Sequence, residues 1–269
     1  MALTTIGLMA LLGCFTGFMA GLLGIGGGMI ITPFLIMLIP SSLIPHEHIV
    51  HVAIATSLAT IAFTSLSSVR AHHKRGAVLW NVVASVAPGI LVGAVVGAQI
   101  AGWLPTFWLS LIFAAFVGFS AFKMFLNKSP RPDRNLPGTI GKFFMGIAIG
   151  ILSALVGAGG GFISVPWMIW CNVKMQNAVA TSAAFGFPIA LFGTIGYIIS
   201  GWNVSGLPPW PIDLGYICIP ALFSVAITSV LFAPLGAKVA HSIDTKPLKK
   251  IFACLLCFVC LYMIRQAYL

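Results

Sequence analysis

Carboxylates are almost missing from this sequence. Its 269 residues include four, Glu47, Asp133, Asp213 and Asp244, and each falls in a loop or at the end of an apolar segment. Cation transporters and proton pumps usually keep a carboxylate inside the bundle. This chain has no obvious one there, and no Lys or Arg in mid-segment either. Charge of both signs is sparse: Lys, Arg, Asp and Glu make up 7% of the chain, against about 25% in soluble domains. With 59% hydrophobic residues and a mean hydropathy of +1.08, the several apolar stretches of about 20 residues describe an integral membrane protein. A net charge of +10 would suggest nucleic acid for a soluble chain. Here the basic residues sit in short loops between apolar segments, where the positive-inside bias puts them, so the expected partner is the lipid bilayer and not nucleic acid. The first apolar run has no basic stretch before it and continues past any cleavage point, so it reads as a retained helix.

Cysteine is also scarce. The six residues fall nearly all inside apolar segments, which argues against a disulfide framework. Cys254, Cys257 and Cys260 share one helical face, but iron–sulfur centres usually take four thiolates, and close packing is the simpler use of three. His46, Glu47, His48 and His51 do not make His-Glu-x-x-His, because Val50 occupies the required second-histidine position. They read as loop histidines at an interface. Nothing resembles a nucleophile–base pair or a nucleotide loop, and no metal or cofactor is expected.

What the chain does have is glycine in awkward places. Gly24-Ile25-Gly26-Gly27-Gly28 lies inside an apolar run from Leu3 to Ile39, and Gly157-Ala158-Gly159-Gly160-Gly161 lies between Leu155 and Pro166. Each glycine costs a helix about 0.5–1 kcal/mol against alanine, and backbone groups released in hydrocarbon must find partners. A broken helix at that depth makes sense against protein or a filled cavity. The clusters belong to a wider duplication. Gly26-Gly27-Gly28 with Pro33 matches Gly159-Gly160-Gly161 with Pro166, Ala55-Thr56-Ser57 matches Ala180-Thr181-Ser182, Pro88 matches Pro220, and Gly97-Ala98-Gln99 matches Gly236-Ala237-Lys238. Matches in one order make an internal repeat.

Apolar segments are expected at about 3–23, 29–39, 49–69, 78–102 and 107–126, and again at about 143–157, 162–171, 176–200, 212–239 and 251–268. The elements 29–39 and 162–171 are too short to span alone and read as half-helices. The polar stretch Asn127–Asn135 marks the boundary. It gives a first transmembrane repeat at 1–126, a cytoplasmic linker at 127–142 and a second repeat at 143–269. If each broken pair is a hairpin, the halves are inverted, and 13 of the 14 Lys and Arg residues share one side with Arg265 alone opposite. If each broken pair crosses once, the halves are parallel and the split is 9 to 5. The positive-inside rule favours the first. The expected fold is an all-α polytopic membrane protein of two inverted-topology repeats. Each repeat is a glycine-broken helix pair plus three spanning helices, making about eight full spans and two half-helices, with both termini outside.

Each glycine cluster is followed at once by a new apolar helix. A helix N-terminus presents free amides and the positive end of the dipole, a ready anion site. Transporters built from inverted repeats place broken helices at the substrate site. The expected substrate contacts are Gly26, Gly27 and Gly28 with Gly159, Gly160 and Gly161. Thr56, Ser57, Thr181 and Ser182 are supporting donors that add no charge to the membrane. Gly24, Pro33, Gly157 and Pro166 are the expected break or hinge positions. The competing uses are close packing through small residues and hydroxyl bonds to the preceding turn or a neighbouring helix. With no buried acid or base the site is neutral and dipolar, and the expected substrate is an anion.

The stretches Leu23–Gly28 and Val156–Gly161, each followed by its proline, together with the paired Ala-Thr-Ser triplets, resemble the TauE/SafE family of sulfite and organosulfur-anion transporters. The resemblance covers essentially the whole chain. It implies a secondary transporter, an exporter of a small sulfur-containing oxyanion such as sulfite, working by alternating access in the cell membrane, the inner membrane of a bacterium. It does not assign the substrate, since members handle sulfite, sulfonates and related anions, and it covers importers as well. Import of a larger sulfonate or other organic anion is the alternative. A membrane enzyme of thiol or quinone chemistry is the reading from a different class.

Overall fold

The computed structural model describes residues 3–24, 27–40, 43–126, 135–205, 207–208, 213–240 and 246–268. Among them are ten helices: α1 (Leu3–Leu23), α2 (Gly28–Leu38), α3 (Ile49–His73), α4 (Trp80–Trp103), α5 (Thr106–Leu126), α6 (Thr139–Val156), α7 (Gly161–Trp170), α8 (Met175–Gly201), α9 (Ile219–Ala240) and α10 (Lys246–Ala267). Seven of them, α1, α3, α4, α5, α6, α8 and α9, are long and apolar enough to cross a membrane. The apolar part of α10 runs from Ile251 to Ala267. In lipid a helix is the form that satisfies every backbone group internally, which is why these runs fold as they do. The chain is an all-α polytopic membrane protein.

The helix stops are local. Pro105 follows the last turn of α4, where the residue before a proline is driven out of the helical region. Gly76, at φ +65°, turns the chain after α3. Asn172, at φ 64°, does so after α7, and Asn is among the few residues that visit the left-handed region without a large cost. The half-helices α2 and α7, of 11 and 10 residues, match the short elements expected. Four boundaries differ by four residues or more: α3 runs on to His73, past the expected 69, and α10 begins at Lys246, before the expected 251; the other two are the starts of α6 and α9. α6 begins at Thr139, four residues earlier than expected. The apolar segment expected from residue 212 does not start as helix: β1 (Asp213–Leu214) and β2 (Ile217–Cys218) form an antiparallel hairpin. Gly215, at φ +59°, makes its turn, packed so closely on Ile198 that a Cβ would lie 2.6 Å from that residue's carbonyl oxygen. Hydropathy could not separate this apolar hairpin from the helix that follows it.

Glycine stripes set the closest helix contacts, and they join the first half of the chain to the second. Gly13, Gly17 and Gly21 of α1 lie against Val225, Ser229 and Ala233 of α9, so tightly that a Cβ on any of them would overlap a backbone carbonyl. Gly89, Gly93 and Gly97 of α4 meet Phe143, Ile147 and Ile151 of α6 in the same way. Spacing of four residues between small side chains lets two backbones approach along one face. In both pairs the contact numbers rise together, so α1 runs parallel to α9 and α4 parallel to α6. α4 also runs parallel to α8, since Gly196 lies on Ala98 and Gly102 on Ser200. Two further pairs run antiparallel. Gly186 of α8 lies beside Ser65 of α3 while Gly193 lies beside Leu58. Cys260 of α10 meets Ala114 of α5 while Tyr268 meets Phe107. α3 sits at the centre, with every residue from Ile49 to Ile61 buried.

Candidate functional site

Both glycine clusters break their helices with the same backbone geometry. Gly24 and Gly27 have φ of 67° and 74°, and Gly157 and Gly160 have φ of 63° and 77°. An L side chain in the left-handed region costs about 1–2 kcal/mol, so these four positions explain why the clusters are glycine. Each break folds the chain back beside its own helix. A Cβ on Gly27 would lie 2.9 Å from the carbonyl oxygen of Thr16 on α1, and one on Gly160 would lie 3.1 Å from Ile149 Cγ2 on α6. The short helices then run back for about 16 Å, roughly half the hydrocarbon thickness.

The two breaks touch. Gly28, the first residue of α2, packs directly on the carbonyl of Gly157, where a Cβ would overlap the oxygen. The first intrahelical bonds are made to Gly27 O by Ile30 and Ile31, and to Gly160 O by Ile163 and Ser164. The amides at Gly28, Met29, Gly161 and Phe162 are therefore the N-terminal donors of α2 and α7, each pair at the positive end of its own helix dipole.

The Ala-Thr-Ser triplets stitch each half to the other. Ser57 on α3 donates to Gly157 O at 3.2 Å and to Gly28 O at 3.4 Å. Ser182 on α8 donates to Gly24 O at 3.1 Å and accepts from Ser164 at 2.7 Å. Thr181 Oγ1 accepts the amide of Leu79, the residue before α4, at 3.0 Å. Thr56 Oγ1 accepts the amide of Cys218, the residue before α9, at 3.0 Å. Each serine thus holds the opposite half's break and each threonine the opposite half's connector. All four side chains are fully buried. A threonine hydroxyl that accepts one bond keeps its proton to donate.

The other expected residues fall as follows. Gly26 lies outside the described residues. Gly159 lies in the second break, its carbonyl on the Gly186 and Ser65 side. Pro33 and Pro166 sit inside α2 and α7 rather than at the breaks. There each removes the bond an interior amide would make to the carbonyl four residues back. Of the histidines, His51 Nε2 lies 3.1 and 3.0 Å from the carbonyls of Ala101 and Leu104, and His46 Nε2 is 3.0 Å from Gln266 Nε2. Cys260 donates to Ala114 O at 3.2 Å.

The structure adds two residues that pattern reading missed. Thr32 Oγ1 and Ser153 Oγ are buried and without a hydrogen-bond partner, and both lie at the second break. A Cβ on Gly157 would be 3.1 Å from Thr32 Oγ1, and one on Gly160 would be 3.3 Å from Ser153 Oγ. Leaving a buried hydroxyl unsatisfied costs about 1–3 kcal/mol. The signal was present as a mismatch. In the register that pairs Gly27 with Gly160, Thr32 faces Val165 and Ser153 faces Ala20.

Over residues 9–263 the chain matches the family described as sulfite exporter TauE/SafE. It is similar to a probable membrane transporter protein of Haemophilus influenzae, 34% identical over 97% of this chain and 98% of that one. It is also similar to a probable membrane transporter protein of Methanocaldococcus jannaschii, 27% identical over 96% of this chain and 94% of that one. A third relative is the probable membrane transporter protein YdhB of Bacillus subtilis, 30% identical over 69% of this chain and 76% of that one. No solved structure matches the chain.

Proposed function

This chain belongs to the TauE/SafE sulfite exporter family, and from that premise we propose that it exports a small sulfur-containing oxyanion, sulfite being the simplest, by alternating access across a bacterial inner membrane. The observation that carries the proposal is the meeting of the two breaks. There Gly28, the first residue of α2, packs on Gly157, the C-cap of α6 at which the second break opens, and no carboxylate lies in a predicted span. An oxyanion leaving water needs several donors at once, and helix amides supply them without a buried cation. Gly26 to Gly28 and Gly159 to Gly161 are the proposed anion contacts, with Thr56 and Thr181 donating from α3 and α8 while Ser57 and Ser182 hold the breaks.

Alternating access rests on the inverted repeat. The antiparallel pairing of α3 with α8 and of α5 with α10 supports it, because each pair joins repeat-equivalent helices and equivalents run oppositely only in halves of opposite orientation. The parallel pairing of α4 with α8 fits the same scheme. With Gly28 packed on Gly157 the path is closed between the breaks, so this arrangement reads as an occluded state. That tight contact also favours a small anion over a bulky sulfonate.

The test is a thermal-shift screen of purified protein against sulfite, sulfate, thiosulfate, sulfoacetate and taurine. A ligand that binds the native state raises its melting temperature. The proposal expects sulfite or another sulfur oxyanion to do so. No shift with any of the five at millimolar concentration contradicts it.

A further inference from the structure

The duplication predicts a symmetric site, with both breaks contributing alike, but the side chains around the breaks are not symmetric. At the first break, the hydroxyl nearest the left-handed Gly27 is Thr16, and it is satisfied by Leu12 O at 2.8 Å. At the second break, Thr32 from α2 and Ser153 from α6 lie 0% and 1% exposed, each without a partner. They sit beside the left-handed Gly157 and Gly160 respectively. Helical Ser and Thr side chains ordinarily quench themselves on the carbonyl one turn back, as Thr60 does on Thr56 O at 2.9 Å. Thr32 and Ser153 do not.

Nor does the hairpin need these hydroxyls. The equivalent positions in the other repeat are Val165 and Ala20, apolar residues of nearly the same shape, and they serve the same break geometry with matching φ angles. Two buried, unpartnered hydroxyls standing where the other repeat makes do with valine and alanine, beside the two left-handed glycines that lead into α7, point to a ligand.

We infer that Thr32 and Ser153, with the first-turn amides of α7, form an off-axis subsite at the second break for the oxygens of an SO3 group, inorganic sulfite or a sulfonate headgroup. This rests on the oxyanion-transport reading and adds to it the residues that touch the anion and the side of the pseudo-two-fold on which it sits. A hydrogen bond to a charged oxygen is stronger than one between neutral groups, so the anion meets the polar demand that this arrangement leaves open.

The experiment measures sulfite and sulfoacetate affinity and ligand-free melting temperature for purified Thr32→Val and Ser153→Ala, with Ser224→Ala as control. Ser224 bonds to Pro220 O on α9. Valine and alanine are the residues the other repeat already uses, so both variants fold. Removing an unsatisfied hydroxyl leaves the ligand-free melting temperature unchanged or raises it. Affinity for the SO3 ligand falls by about tenfold or more in each variant, and the control matches wild type. A loss toward sulfite alone assigns the inorganic anion, and a loss toward sulfoacetate assigns the sulfonate headgroup. Wild-type affinity in both variants overturns the subsite while leaving the transporter reading intact. If wild type binds neither probe the subsite is overturned, and the oxyanion reading falls with it only when sulfate, thiosulfate and taurine give no thermal shift either.

Discussion

Ser182 donates its hydroxyl to the carbonyl of Gly24 across 3.1 Å, joining α8 of the second half to the break in the first. Its repeat equivalent Ser57 does the converse, donating to Gly157 at 3.2 Å. Each bond satisfies a carbonyl at a helix end that lies in the protein interior, where an orphaned acceptor costs about 1–3 kcal/mol.

Replacing either serine with alanine should therefore destabilise the folded protein. For a chain of this size the expected fall in melting temperature is a few degrees for each variant, and the double variant should fall by more than either. The measurement is thermal unfolding in detergent. Unchanged melting temperatures would mean that the two carbonyls find other partners at no cost.

The threonines make a second, separable prediction. Thr181→Val removes the acceptor of the Leu79 amide, and Thr56→Val removes that of Cys218. Hydrogen exchange should rise by about tenfold at the first amide only in Thr181→Val, and at the second only in Thr56→Val, in line with about 1–1.5 kcal/mol for one bond. Equal exchange in both variants at both sites would show that the connectors are held by packing alone.

Orientation is testable by labelling. Lys74 and Ser205 are both exposed, each beyond the C-terminal end of its helix, and the antiparallel run of α3 and α8 puts them on opposite sides of the bundle. In a cysteine-free background, an impermeant thiol reagent applied to intact cells should label Ser205→Cys and not Lys74→Cys. This follows from the 13-to-1 division of Lys and Arg and the positive-inside rule. The opposite pattern would invert the topology, and labelling of both would break the inverted-repeat scheme.

Much of this arrangement was legible in the sequence. Glycine in mid-segment carries an energetic cost, so Gly24, Gly27, Gly157 and Gly160 announce special backbone, and the repeated spacing to Pro33 and Pro166 announces a duplication. The short apolar elements gave α2 and α7 to within a residue. Partner choice was not legible. Nothing local in Ala55-Thr56-Ser57 says that the hydroxyls reach residues of the other half, because helix pairing in a bundle is set by long-range packing of stripes such as Gly13, Gly17 and Gly21. The hairpin at Asp213–Cys218 was hidden by its own apolar composition. Thr32 and Ser153 escaped because matching the repeats draws the eye to what the copies share, and these two positions differ between them.

The central claim is that the touching glycine breaks form the anion's path, and flux across a sealed membrane tests it most directly. Wild type, Gly28→Ala, Gly160→Ala and Gly7→Ala are reconstituted in liposomes, and uptake of radiolabelled sulfite is compared with protein-free vesicles. Alanine at Gly28 would overlap Gly157 O, and at Gly160 it would meet Ile189 in a left-handed backbone, whereas nothing lies within 4 Å of a Cβ at Gly7. The account predicts saturable uptake by wild type and Gly7→Ala, and loss of most of it in monodisperse Gly28→Ala and Gly160→Ala. Wild-type uptake no greater than that of empty vesicles, or full uptake by both break variants, would contradict it.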